Sequence, residues 1–178
     1  MLRQDQLFIA APIRDGARET LARLLETMTA APGQADPENP LLPFGRMATV
    51  HVARFVILDD PSLPDRQITP QLPATEPLQL AFIADCDGPA DDLLHALVEL
   101  AAPGLRQIFG HCAGCDDTTD LTGWLRAHRI RPSAIYANWP GRSVAQVREE
   151  AALHAVLRQA RLAHPLASPD QLREILVN

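Results

Sequence analysis

The stretch MATVHVARFVIL, residues 47–58, decides the reading of this chain, because it is the longest strand-like run in the sequence. Successive side chains of a strand point to opposite faces of its sheet. One set here is Ala48, Val50, Val52, Val56 and Leu58, with Arg54 among them; the other is Thr49, His51, Ala53, Phe55 and Ile57. His51 and Arg54 therefore face opposite ways unless a bulge shifts the phase between them. The aliphatic set is expected to pack on helices, which leaves His51 and Phe55 on the open side. In that arrangement Arg54 would need a carboxylate or carbonyl partner, or a substrate carboxylate near the strand end.

Outward from this run, residues 6–13 (QLFIAAPI) read as a strand and residues 14–30 as an amphipathic helix with Ala17, Leu21, Leu24, Leu25 and Met28 on its apolar side. Two Pro-rich connections, 31–45 and 59–77, flank the central run. Residues 78–85 (LQLAFIAD) alternate as a third strand, with Leu80, Phe82 and Ala84 on one face and Gln79, Ala81, Ile83 and Asp85 on the other. Asp87-Gly88-Pro89 is a turn that opens a helix, since proline suits the first helical turn. Leu93, Leu94, Leu97, Val98 and Leu100 form its buried stripe, and Pro103-Gly104 is expected to end it, with a short continuation over 105–110. Residues 119–129 read as a helix and 133–139 (SAIYANW) as a fourth strand, with Tyr136 and Asn138 on one face. Ser143-Val144-Ala145-Gln146 is a capping box that starts a helix running to about residue 163, and Ser168-Pro169-Asp170-Gln171 repeats the device for a last short helix.

The predicted order is strand, helix, strand, strand, helix, strand, then further helices. That is the split βαβ pattern of an α+β, ferredoxin-like antiparallel sheet with helices on one face. A single domain over 1–178 is expected, its core at about 5–140 and a C-terminal helical extension at about 143–178. By topology the chain resembles the dimeric α+β barrel superfamily, in which the open faces of two such sheets line a cavity. Members include cofactor-free monooxygenases, muconolactone isomerase-like proteins, chlorite dismutases and dye-decolourising peroxidases. The resemblance implies a homodimer and a small-molecule ligand on the open face. The haem-binding residues of the peroxidases have no counterpart that can be placed here, so the cofactor stays unknown.

Composition narrows the field. A net charge of −6 argues against general nucleic-acid binding. No run approaches the roughly 18 apolar residues of a membrane helix, and the first residues do not read as a signal peptide, so a cytoplasmic location is the expectation. All 16 Lys and Arg positions are arginine. Schiff-base chemistry and the phosphate-loop lysine both require an amine and are excluded. An Ala-, Arg- and Pro-rich chain of this kind is what a GC-rich bacterial genome encodes. Gly-rich phosphate loops, nucleophile elbows and HExxH are absent from the sequence.

Two groups of residues carry candidate chemistry. The first is the open sheet face, with His51, Arg54, Asp85 and Tyr136 as catalytic candidates and Phe8, Phe55, Gln79 and Asn138 as ligand-binding ones. His51 could act as a base or an oriented donor, with Asp85 or Tyr136 fixing its tautomer. This supports a small-molecule-binding protein, monooxygenase- or peroxidase-like if it is an oxidoreductase. The bland alternative is a dimer interface in which the same groups are simply satisfied. The second group is HCAGC, where His111, Cys112 and Cys115 could form a redox pair or part of a metal site. Against that, there is no second CxxC or CxxH, and c-type haem attachment places its histidine after the second cysteine. A local basic run, WLRAHRIRP (124–132), could meet an anion or merely complement a helix C-terminus.

Overall fold

A computed structural model describes residues 4–58, 77–135 and 141–163. The chain divides into two compact units, 1–141 and 142–178. In the first, strand β1 (Gln4–Pro12) leads through a turn at Gly16 into helix α1 (Arg18–Glu26). A two-stranded hairpin follows, β2 (Thr29–Ala31) and β3 (Gln34–Ala35), then a 3-10 turn at Phe44–Arg46. Strands β4 (Val50–Leu58) and β5 (Gln79–Asp87) precede helix α2 (Ala90–Phe109) and the short helix α3 (Leu121–Ala127). The second unit contributes helix α4 (Val144–Ala163).

The main sheet has the order β1-β5-β4, antiparallel throughout. Alternation sets its two faces. Leu7, Ile9 and Ala11 of β1 and Leu80, Phe82, Ala84 and Cys86 of β5 are buried on the helix side. Register then fixes β4: Ala53 lies opposite Ala84, Phe55 opposite Phe82 and Ile57 opposite Leu80. The helix-facing set of β4 is thus Ala53, Phe55 and Ile57, the reverse of the sequence expectation. Both sets are apolar, so periodicity alone could not choose between them. Aromatic packing decides it: the Phe55 ring lies 4.8 Å from Phe82 and 6.1 Å from Phe109, and Phe109 lies 5.6 Å from Trp124. Burying these rings outweighs burying valines of smaller area.

A register shift between Val50 and Val52 inserts one extra residue, His51, into the ladder. Val50 pairs with Cys86 and Val52 with Asp85, so the bulge carries His51 over to the open face that Arg54 also occupies.

Other expectations also needed revision. The Pro-rich stretch after α1 is not structureless. It holds the β2–β3 hairpin around Gly33 (φ 76°), and Asn39 is buried there, its side-chain amide donating to the Thr27 carbonyl at 2.8 Å while its oxygen accepts from Leu41 N–H at 3.0 Å. Helix α2 is two helical segments meeting at a kink: Ala101 (φ −141°, ψ 29°) leaves helical geometry two residues before Pro103, and the second segment runs on to Phe109, close to the expected stop and short continuation. Proline lacks an N–H and clashes with the preceding turn, which interrupts the helical geometry just before it. Gly104 beyond the kink is required by close approach, because a Cβ there would lie 1.8 Å from the Leu41 carbonyl oxygen.

The expected fourth strand is not formed over 133–135, and residues 136–139 lie outside the described residues. An antiparallel bridge between Ile9 and Arg129 occupies the outer edge of β1 instead, with Ala10 N–H donating to the His128 carbonyl (3.1 Å) and Ile130 N–H to the Phe8 carbonyl (2.8 Å). The described sheet is therefore three-stranded within a mixed α+β fold, compatible with a ferredoxin-like arrangement. In the second unit the capping box closes both ways: Gln146 N–H donates to Ser143 Oγ (3.1 Å) and Ser143 N–H to Gln146 Oε1 (2.8 Å). Among the described residues no helix is long and apolar enough to cross a membrane.

Candidate functional site

The open face of the main sheet is best seen as rows across the three strands. Neighbouring strands lie about 4.8 Å apart, so each row brings side chains within reach of one another. At one end sits Gln4, opposite Asp87, with His51 on the bulge beside them. The next row is Gln6, Asp85 and Val52, and the one after is Phe8, Ile83 and Arg54. Beyond those the face becomes apolar, with Ala10, Ala81 and Val56, and it ends at Pro12, Gln79 and Leu58.

His51 is the most constrained polar group on this face. Its Nε2 lies 2.9 Å from Asp87 Oδ1 and 3.2 Å from the Gln4 side-chain amide. The side chains of His51 and Asp87 are only 13% and 11% exposed. A carboxylate at this distance accepts a hydrogen bond from Nε2–H, because N–H to O⁻ is the strong pairing. The Gln4 amide must then turn its oxygen toward the same N–H, since two donors cannot share one hydrogen. Nδ1 is left carrying a lone pair and has no hydrogen-bonding partner among the described residues. Asp87 therefore does for His51 what orienting carboxylates generally do for imidazoles: it fixes tautomer and ring plane, leaving the other nitrogen able to accept a proton.

One row along, Gln6 Nε2 donates to Asp85 Oδ1 at 2.8 Å. Arg54 is exposed on the same side and forms no ion pair with a described residue. It needs no buried counter-charge, since it is not on the helix side. Beneath the acidic end lies Cys86, whose thiol is pushed up to about 11 by burial and then by the charges of Asp5, Asp85 and Asp87. That thiol is held protonated and points into the core.

The face therefore brings together His51, Asp85, Arg54 and Phe8. Phe55 is not among them, being packed on the helix side against Phe82 and Phe109. Gln79 shares the face but sits at its far end, about eight residues or ~27 Å from the His51 row. Tyr136 and Asn138 lie outside the described residues. Sequence reasoning missed Asp87 and Gln4. Alternation does carry the signal for Asp87, two residues beyond Asp85 on the same face, but the strong turn chemistry of Asp87-Gly88-Pro89 masks it.

The HCAGC loop is built differently. It follows α2 and is bound to the end of β1 by backbone bonds: Arg14 N–H donates to the His111 carbonyl (2.9 Å) and Ala113 N–H to the Pro12 carbonyl (2.8 Å). The Arg14 guanidinium then clamps the loop, donating to the carbonyls of Cys112 (3.0 Å), Cys115 (2.6 Å) and Gly110. Cys112 and Cys115 are free thiols, both buried. Burial, followed by proximity to Cys115, pushes the Cys112 thiol up to about 12, and burial also raises Cys115. His111 is lowered by burial and then by the Arg14 charge. An imidazole kept neutral cannot stabilise a neighbouring thiolate, so His111 does not activate Cys112. Among the described residues no group of three or more His, Cys, Asp or Glu side chains converges as metal ligands must.

No known protein family, curated protein or solved structure matches this chain.

Proposed function

We propose that the open face of the main sheet is a small-molecule site whose pivotal group is His51, oriented by Asp87. The single observation that carries this is the 2.9 Å Nε2–Asp87 contact on a bulge that lifts the imidazole onto the open face, with no partner for Nδ1 among the described residues. A β-bulge beside a polar cluster commonly serves to re-aim one side chain. The adjacent rows supply what a ligand needs besides a base. Phe8 and Ile83 offer an apolar bed, and Arg54, in their row, offers a cation for a carboxylate or enolate oxygen. The chemistry such a site supports is proton transfer at Nδ1 next to a bound aromatic or aliphatic body. An oxidoreductase role rests on the topological resemblance alone.

The same reading makes the sheet ferredoxin-like and its open face the inside of a homodimeric α+β barrel. Two features support it. The Ile9–Arg129 bridge lies on the free edge of β1, where that topology puts its fourth strand. Val52, on the same face as His51, is 53% exposed, which suits a surface covered by another sheet.

The test is a screen of small aromatic acids and phenols, benzoate and phenol among them, by saturation-transfer NMR on the wild-type chain and on His51→Gln. Ligands that saturate the wild type and lose binding in the variant uphold the proposal. Equal binding in both proteins overturns it.

A further inference from the structure

The run WLRAHRIRP ends α3, and the fold gathers its arginines at a second place, separate from the His51 row. Arg126, Arg129 and Arg131 line an open cleft of about 710 Å³ together with Asp5, Asp91 and Ile135. Asp5 lies opposite Cys86, on the helix side of β1, so this cleft and the open face are on opposite sides of the sheet.

Three guanidinium groups here meet two carboxylates, and one carboxylate is already committed. Asp5 Oδ2 accepts from Ala90 N–H at the start of α2 (3.1 Å) and its Oδ1 from Gln6 N–H (2.9 Å). Asp91 Oδ2 lies 3.1 Å from Arg129 Nη1, and its Oδ1 is 3.7 Å from Arg126 Nε. Arg126 also donates to His95 Nε2 at 3.1 Å. Two donors remain over. Arg129 Nε is buried with no hydrogen-bond partner among the described residues, the sole buried side-chain polar atom of which this is true. Arg131 is exposed and forms no ion pair with a described residue. A buried guanidinium N–H left without an acceptor is costly, and natural proteins seldom tolerate one without a reason.

We propose that this cleft binds the phosphate group of a small metabolite, with Arg131 as its principal donor and the guanidinium of Arg129, whose Nε is itself closed off by burial, adding positive charge beside it. A planar carboxylate is matched by the fork of one arginine, whereas a tetrahedral phosphate presents oxygens in several directions and suits donors arriving from separate side chains. The overall charge of −6 opposes a polyanion such as nucleic acid, while one small phosphate meets only the local excess of positive charge. This site does not depend on the role of His51.

The experiment is a titration of the full chain with inorganic phosphate at constant ionic strength, following the arginine Nε–H resonances by 15N NMR. The Arg129 Nε–H signal, assigned by its loss in Arg129→Gln, should shift saturably. Arg131→Gln alters an exposed side chain and should fold normally. It should weaken phosphate binding about tenfold, the effect of removing one charge-assisted hydrogen bond. Absence of a saturable shift overturns the proposal. So does an equal shift with chloride, unchanged affinity in Arg131→Gln, or tighter binding of acetate than of phosphate.

Discussion

The HCAGC loop and the His51 row both set a histidine beside a reactive or charged residue, yet the fold treats them in opposite ways. At HCAGC the backbone is tied to β1 from several directions, and the thiols are buried and held protonated. At His51 the backbone is released from regular pairing by a bulge, and the side chain is what is held, by Asp87 and Gln4. Fixing a loop's carbonyls with an arginine uses the motif as a strut. Fixing one ring nitrogen while freeing the other prepares a group for proton transfer. A motif's spacing says which atoms are near one another; what the surrounding chain binds decides whether they react.

The comparison is broken most forcefully at Arg14. Its guanidinium donates to three carbonyls of the loop, and bonds from a charged donor contribute roughly 1.5–3 kcal/mol each when shielded. Arg14 is exposed, so solvent screens much of this, and Arg14→Ala should lower stability by about 2–3 kcal/mol. Lysine has no fork and cannot span three acceptors, so Arg14→Lys should recover little. Thiol labelling of the native protein gives a second readout. Cys112 and Cys115 should react much faster in Arg14→Ala, because opening of the loop outweighs loss of the positive charge that favours their thiolates. Cys86, buried near the end of the central strand and far from the loop, should keep its slow rate. An Arg14→Ala protein of unchanged stability and labelling would show that the loop is not held this way.

Much of this architecture can be read from the chain, and the failures have physical causes. Strand β5 was legible because its two faces differ: Leu80, Phe82 and Ala84 alternate with Gln79 and Asp85. Strand β4 was legible as a strand but not in its orientation, since valines and leucine on one side and alanine, phenylalanine and isoleucine on the other both look like core. What settled it was Phe55 meeting Phe82 and Phe109, residues distant in sequence. The bulge was legible only as a condition for His51 and Arg54 to share a face. Asp87 was hidden by the turn that follows it. The Arg14 clamp left no local trace at all, as it joins positions about a hundred residues apart.

The thiols sharpen the contrast through pH. In the folded chain Cys86 stands at about 11 and Cys112 at about 12, against an ordinary thiol value of 9.0. A thiol raised by folding is protonated in both states below pH 9, so its contribution to stability is complete there. Above pH 9 the unfolded chain loses the proton first, and deprotonation then pulls the equilibrium toward unfolding. Stability should fall from about pH 9 and level off once the folded thiols ionise, near pH 11–12. Cys112→Ala should make this alkaline limb shallower, whereas His51→Gln should leave its slope unchanged. Urea midpoints measured at half-unit steps from pH 8 to 11 would decide it, and an identical slope in Cys112→Ala would contradict the assignment.

The smallest expected effect tests the bulge itself. Val50 pairs with Cys86 and Val52 with the next residue back, Asp85, so His51 is the one residue without a place in the ladder. Deleting it should join two segments already in phase. Ala53, Phe55 and Ile57 would keep their positions opposite Ala84, Phe82 and Leu80, and the aromatic packing would survive. The deletion removes the His51–Asp87 contact, for which a loss of about 1 kcal/mol is expected, and it straightens the strand. By contrast, deleting Val56 would move Ile57 and Leu58 to opposite faces, because a one-residue slip inverts every side chain beyond it. Denaturant unfolding with an unchanged m value, and retained amide protection across β5, would establish that the bulge is an addition to a sheet complete without it. Collapse of the sheet on deleting His51 would mean that the bulge supports the fold, and that His51 is placed on the open face as a by-product.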